Sequence, residues 1–142
     1  MLCTGFRTRW IGASGTAGFD ARAHQPLHLY QVCYSLLMWA VQWHAEAQEE
    51  LMRLPRDEQL ALDHAVGKLA AVGPALPFPH QSAVKAGQGL RELRPRGGRS
   101  RWRALYDRRG DTFVIAAVAP EAQVDRRGFD RAVRTALRRL EE

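Results

Sequence analysis

The fold of this chain is decided by residues 89–118, GLRELRPRGGRSRWRALYDRRGDTFVIAAV. Two segments, 95–98 and 108–111, separate three stretches that contain apolar residues. The glycines of these segments supply the positive φ that tight turns require. We therefore predict three consecutive strands at 90–94, 101–107 and 112–118. The third is almost wholly apolar, which is typical of a central strand covered on both faces.

The same segment carries eight arginines and no lysine. Arginine is weakly hydrated, and its planar fork binds two phosphate oxygens at once. Alternation along the middle strand places Trp102 and Tyr106 on one face, and Arg101 and Arg103 on the other. This concentration of arginine indicates a surface that binds phosphate.

The flanking sequence completes a single domain around these strands. The further predicted elements are a strand at 39–43 and helices at 44–54, 56–72 and 126–140. Asp125 is a candidate N-cap for the last helix, and the proline-rich residues 73–81 are predicted to be a connector. The order β-α-α-β-β-β-α predicts an α+β fold, a small antiparallel sheet packed with two N-terminal helices and one C-terminal helix.

The overall charge favours an anionic partner. The chain has 142 residues, a formal net charge of +6 and 21 basic residues. A pI near 10.1 is typical of proteins that bind nucleic acid, a membrane surface or an acidic protein. A GC-rich genome would also favour arginine over lysine, which accounts for the composition and leaves the clustering unexplained.

Residues 1–37 differ from the remainder because they show no sustained period of two or 3.6. We predict a poorly ordered N-terminal extension at 1–37, or a start assigned too early with Met38 as the true start, and a folded domain at 38–142. The apolar run 27–43 is shorter and more polar than a membrane span requires. Cys3 and Cys33 form no disulfide framework, which favours a reducing cytoplasm.

Residues 39–140 resemble the RelE/HigB-type toxins of bacterial type II toxin–antitoxin systems, within the RelE/ParE superfamily. The likeness is to the phage-derived HigB-like branch. It rests on Leu90-Arg-Glu-Leu-Arg94, Arg101-Trp-Arg-Ala-Leu-Tyr106 and the apolar strand that follows, in this order and at these spacings. The helical pair and the Gly73-Pro74 linker upstream occur in the matching order.

The resemblance implies a RelE-like fold and a cytoplasmic endoribonuclease that cleaves mRNA, usually on the ribosome. It implies no metal and no cofactor. The implied partners are mRNA, the ribosome and a cognate antitoxin, often a helix-turn-helix protein, with no role for a membrane. In this chemistry the ribose 2′-OH attacks its own phosphate, which requires positive charge at the phosphate, a base and an acid.

The resemblance also assigns site residues. Arg94 and Arg103 match the two arginines of the motif and are predicted to contact the phosphate and its transition state. Tyr106 is the candidate acid, although alternation turns it with Trp102 towards the core. The remaining candidates for RNA binding are the arginines of the strands and turns, Arg91, Arg96, Arg99, Arg101, Arg108 and Arg109.

Structural roles compete with several of these assignments. Arg94 and Arg103 also have Glu92 and Asp107 as potential cross-strand partners. His80 suits either a general base or an ordinary loop histidine. The arginines of the last helix form either a solvated face or a dock for an acidic antitoxin or ribosomal RNA. They are Arg126, Arg127, Arg131, Arg134, Arg138 and Arg139.

One departure from the family favours a different function. Relatives commonly carry a basic pair after the last strand, whereas residues 118–123 of this chain contain one acid and no base. The rival hypothesis is therefore a non-catalytic basic binding module of the same fold. It would be either a decayed toxin or a ParE-like gyrase inhibitor.

Overall fold

A computed structural model describes residues 38–142. The predictions for residues 1–37, including those for Cys3 and Cys33, lie outside this range. The helices and strands are β1 Ala40–Trp43, α1 Ala45–Met52, α2 Arg56–Val72, β2 Gln81–Ala83, β3 Arg91–Leu93, β4 Trp102–Arg109, β5 Thr112–Pro120 and α3 Arg126–Glu141. Short 3-10 turns occupy Gly73–Ala75 and Pro95–Gly98.

The strands form one five-stranded sheet in the order β1-β5-β4-β3-β2. The predicted α+β fold is confirmed, and the sheet differs from the expectation in two details. β1 pairs with β5 in parallel, whereas the other neighbours pair antiparallel. β2 was not predicted, because a three-residue strand is too short to show alternation; it begins at Gln81, the last residue of the segment predicted to be a connector.

The sheet is covered on both faces. The first apolar cluster joins α1 and α2 to one face and includes Leu62, Leu69 and Tyr106. The second joins α3 to the opposite face and includes Leu105 and Phe129. The predicted alternation of β4 is therefore correct. However, the face that carries Leu105 is covered by α3 along part of its length.

α3 begins as predicted, since the Asp125 side chain accepts a hydrogen bond from the backbone N–H of Gly128 at 2.9 Å. Its basic side chains do not all face solvent. Arg139 is buried, with Nη2 2.7 Å from Glu46 and 2.8 Å from Glu50, and it donates to the Ala116 carbonyl at 2.8 Å. The prediction of a solvated side chain was wrong for Arg139, because Glu46 and Glu50 of α1 approach α3 across the end of the sheet.

Candidate functional site

The two motif arginines lie close together, Arg94 directly after β3 and Arg103 within β4. β3 and β4 are paired with Leu93 opposite Ala104, which brings the next residues, Arg94 and Arg103, together. Both approach one carboxylate: Arg94 Nη1 lies 3.1 Å from Oε1 of Glu92, and Arg103 Nε lies 3.9 Å from Oε2. We call Glu92, Arg94, Arg103 and Glu121 the Glu92 cluster.

Arg103 is enclosed within this cluster. Its side chain is 1% exposed, and Nη2 lies 2.8 Å from Oε1 of Glu121. The guanidinium also donates to the carbonyls of Gly98, Ser100 and Trp102. Burial lowers the pKa of Arg103, against the opposing effect of Glu121 and Glu92.

Arg103 therefore has no surface on which a phosphate could sit in this structure. The expected direct phosphate contact needs correction, because protein carboxylates and carbonyls occupy the guanidinium. Glu121 comes from the segment after β5 in which the usual basic pair is missing. An acid there neutralises the arginine that the resemblance made catalytic.

Arg94 is held differently. Its side chain is 23% exposed, and its guanidinium carbon lies 5.3 Å from the ring centroid of Phe78. A Cβ at Gly98, where φ is +93°, would lie 2.7 Å from Arg94 Nη2, so glycine leaves room for the guanidinium. Nε is buried without a hydrogen-bond partner among the described residues. Arg94 remains partly accessible, as a phosphate contact requires.

Tyr106 is a core residue. It is 2% exposed and packs edge-to-face on Phe113 with ring centroids 5.7 Å apart. Burial raises the pKa of its hydroxyl, although the charge of Arg91 opposes the rise. A phenol with a raised pKa is a weaker acid, and this one is shielded from solvent. The position does not suit the catalytic role that the resemblance assigned to it.

The six arginines predicted to bind RNA are all at least partly exposed. They separate, however, towards opposite ends of the β3–β4 hairpin. Arg96, Arg99 and Arg101 precede β4, whereas Arg108 and Arg109 end it, and Arg91 lies opposite Tyr106. The eight residues of β4 span roughly 26 Å at the usual strand rise. These arginines therefore do not converge on one phosphodiester.

Two of the six also have acidic partners. Arg96 Nη1 lies 2.7 Å from Oε1 of Glu58, and Arg109 Nε lies 3.2 Å from Oδ2 of Asp107. Arg91 instead donates to Oε1 of Gln81 at 2.7 Å. Part of the positive charge of the hairpin is thus already balanced within the protein.

A second group of titratable side chains, larger than the Glu92 cluster, lines a cleft between α2 and the segment from His80 to Arg96. We call it the α2 cleft; its volume is about 770 Å³. Its basic lining residues are His64, Lys68, His80, Arg94 and Arg96, and its acidic ones are Asp57 and Asp63. The lining of the cleft thus combines two imidazoles, three cationic side chains and two carboxylates.

His64 and Lys68 had no role among the sequence-based predictions. Their four-residue spacing on α2 was the available signal, because such residues share one helix face. What the sequence did not reveal is that the loop bearing His80 lies across from this face. That arrangement depends on how residues 73–81 return to the sheet.

Within residues 38–142, no three His, Cys, Asp or Glu side chains are grouped as metal ligands. Over the same range, each helix is too short or too polar to cross a bilayer.

Comparisons with known proteins agree with the fold. The family model described as phage-derived protein Gp49-like (DUF891) matches residues 49–141. The structure of a mutant of the E. coli toxin RelE in the free state aligns with a TM-score of 0.51 and 13% identity, covering 68% of this chain and 96% of that one. No curated protein matches this sequence. The resemblance drawn from residues 39–140 is confirmed, and at this identity the likeness to RelE concerns the fold.

Proposed function

This chain belongs to the family of phage-derived Gp49-like proteins, and from that premise we propose that it is the toxin of a type II toxin–antitoxin pair that cleaves mRNA. The proposed reaction is attack of a ribose 2′-OH on the adjacent phosphate, with no metal required. The proposed setting is the ribosome in the cytoplasm. The α2 cleft is the observation that carries the proposal.

The lining of the α2 cleft supplies each group that this reaction needs. Lys68 and Arg94 provide positive charge for the phosphate and for the charge that develops on it, whereas Arg96 is paired with Glu58. His64 and His80 are the proposed proton-transfer groups, because imidazole accepts and donates protons near neutral pH. This assignment moves proton transfer from Tyr106 to the two histidines.

Arg103 keeps an indirect role in this proposal. It approaches the carboxylate of Glu92 that also pairs with Arg94, so it helps to fix the position of Arg94. We assign Arg103 as a positioning residue. Its burial and its carbonyl contacts are the reasons.

The exposed side of α3 is suited to binding a large polyanionic partner. Four arginines recur there at i, i+4, i+7 and i+11, and we call them the α3 arginine stripe: Arg127, Arg131, Arg134 and Arg138. Over this spacing the stripe is about 16 Å long. None of the four forms an ion pair with another described residue. We propose that it contacts ribosomal RNA, and that a cognate antitoxin, often a helix-turn-helix protein, holds the toxin inactive.

The rival function is a non-catalytic basic module of the same fold, either a decayed toxin or a gyrase inhibitor. Two observations favour it. The Glu92 cluster holds two arginines and two glutamates, so its charges balance. Tyr106 is buried, and residues 118–123, at and after the end of β5, contain no basic residue.

Induced expression in a test bacterium, with primer extension on a reporter mRNA, distinguishes these functions. We expect growth arrest with cuts in phase with codons. We also expect His80→Ala and His64→Ala each to slow cleavage by roughly 10²- to 10⁴-fold, the usual contribution of an acid–base group. Arg109→Ala is the matched control, because it removes an exposed basic group outside the cleft.

The other outcomes contradict the proposal in different ways. Arrest with intact mRNA and signs of DNA damage would indicate a gyrase inhibitor. Growth without arrest would indicate a decayed toxin. Cleavage that survives the substitution of both histidines would leave the activity in place and move its site elsewhere.

A further inference from the structure

Phe78 is an aromatic residue that the core does not use. The residue is 70% exposed, the highest value among the exposed large apolar residues in the part of the chain that the structure describes. It lies between Pro77 and Pro79, whose rings restrict the backbone on both sides. The loop therefore holds a large apolar ring in solvent at a low cost in conformational entropy.

The ring is paired with a cation that is itself fixed. The guanidinium carbon of Arg94 lies 5.3 Å from the Phe78 centroid, and Glu92 holds Nη1 of the same guanidinium at 3.1 Å. Arg94 also lines the α2 cleft, as does His80, two residues beyond Phe78. An exposed aromatic ring thus adjoins a partly exposed guanidinium at the edge of the cleft.

We propose that Phe78 is a stacking platform for an unpaired base of single-stranded RNA, with the adjoining phosphate on Arg94. The combination is the one by which proteins bind single strands, in which aromatic rings stack on bases and basic groups follow the backbone. The inference rests on the proposed action on RNA. It goes further by requiring a single strand and by naming the residue that recognises the base.

Base stacking and phosphate binding respond differently to salt, which separates the two roles. An aromatic–base stack contributes about 5- to 150-fold in affinity when it is removed by alanine substitution. It releases no counterion, so its removal leaves the salt dependence of binding unchanged. A phosphate contact contributes about 0.7 to the slope of log K against log salt on a single strand.

The test measures binding by fluorescence anisotropy, with the full chain and a labelled oligoribonucleotide of about 12 nucleotides. We expect Phe78→Ala to weaken single-strand binding about 5- to 150-fold at an unchanged salt slope, and Phe78→Trp to retain it. Binding to an RNA duplex is expected to be insensitive to either change. Met52→Ala is the matched control, because Met52 is 64% exposed on α1.

Abasic substitutions identify the stacked base. In the wild-type protein, an abasic nucleotide at one position is expected to weaken binding. In Phe78→Ala the same change is expected to have no further effect, because the stack is already absent. Arg94→Ala is expected to lower the salt slope by about 0.7 and to retain the abasic effect in part.

Four results would overturn the inference. Unchanged single-strand affinity in Phe78→Ala, with the wild type binding, contradicts the stacking role and leaves the proposed function intact. Equal weakening on single strand and duplex would indicate a general perturbation of the loop. Impaired antitoxin binding with unchanged RNA binding would make Phe78 a protein-docking residue. A wild type that binds no RNA would refute the proposed function itself.

Discussion

At the scale of single residues, the accessibility of each guanidinium in the site depends on the groups that contact it. Glu121 lies 2.8 Å from Nη2 of Arg103 and encloses it, whereas Arg94 meets Glu92 on one side and the ring of Phe78 on another. Two arginines on neighbouring strands therefore have different accessibility. The first stabilises the β4–β5 end of the sheet, and the second remains available to a ligand.

Arg103→Ala is expected to lower the free energy of unfolding by about 3 kcal/mol, because it leaves Glu121 and three backbone carbonyls without their donor. Urea denaturation gives the value. Arg109→Ala, which breaks an exposed pair with Asp107, is expected to change it by less than about 1 kcal/mol. Full stability of Arg103→Ala together with impaired RNA binding would restore Arg103 as a direct phosphate contact.

At the scale of elements, the two long helices differ in the space around their glycines. Gly67 lies within α2 with nothing within 4 Å of a Cβ placed there. Gly128, in the first turn of α3, would bring a Cβ against the capping carboxylate of Asp125 and to 2.8 Å from Cγ of Pro120. The start of α3 is thus packed against the end of β5, whereas the space beside Gly67 on α2 is open.

The same substitution is therefore expected to have opposite signs in the two helices. Gly67→Ala is expected to stabilise the protein by up to about 1 kcal/mol through helix propensity. Gly128→Ala is expected to destabilise it by about 1 kcal/mol, because the added methyl displaces the Asp125 cap and meets Pro120. Thermal and urea unfolding of the two variants measure both values. Stabilisation by Gly128→Ala would mean that the cap is dispensable.

Glu58 connects the start of α2 to the turn before β4, and this link depends on pH. Burial favours the neutral acid, but hydrogen bonds from Ser100 and Arg96 outweigh it and hold the pKa of Glu58 below its usual value of 4.5. The stabilisation is therefore present above about pH 4.5 and disappears as the pH falls through the folded-state pKa.

Glu58→Gln is expected to be less stable than the wild type at neutral pH, with the difference shrinking on acidification below about pH 4.5. Urea titrations across this range, compared between the two proteins, isolate the contribution of Glu58 from that of other carboxylates. A difference that stays constant with pH would show that the ionised form is not what the contact favours.

At the scale of the whole molecule, the net charge of +6 is unevenly shared. The Glu92 cluster balances its own charges, and Arg139 is neutralised by Glu46 and Glu50 where α1, β5 and α3 meet. Positive charge without an acidic partner among the described residues is left on the α3 arginine stripe and at Lys68 of the α2 cleft. The two lie on elements that cover opposite faces of the sheet.

Replacement of Arg131 and Arg134 by glutamine is expected to lower the salt slope of duplex RNA binding by up to about 0.9 for each phosphate that the helix no longer binds. Anisotropy titrations over a range of salt concentrations measure the slope. Arg126→Gln is the control, because Arg126 pairs with Asp130 at 3.4 Å on the same helix. An unchanged slope in the double variant would remove the α3 arginine stripe from the RNA surface.

The sequence by itself determined the order of the elements other than β2 and the alternation along β4, because these follow from local periodicity and turn residues. It also placed Asp125 at the helix start and favoured an anionic partner. Neighbouring strands brought Arg94 and Arg103 together as the motif implied. The sequence did not determine the accessibility of these two arginines, since accessibility depends on residues distant in the chain.

Only the tertiary structure decided which charges are free. Glu121 reaches Arg103 from the end of β5, Glu46 and Glu50 reach Arg139 from α1, and the loop bearing His80 lies opposite His64. Each of these placements brings together residues that are far apart in sequence, and local periodicity carries no information about such long-range proximity. Local pattern fixes the face on which a side chain lies. The packing of other elements onto that face decides whether a charge there meets solvent, a ligand or an opposite charge.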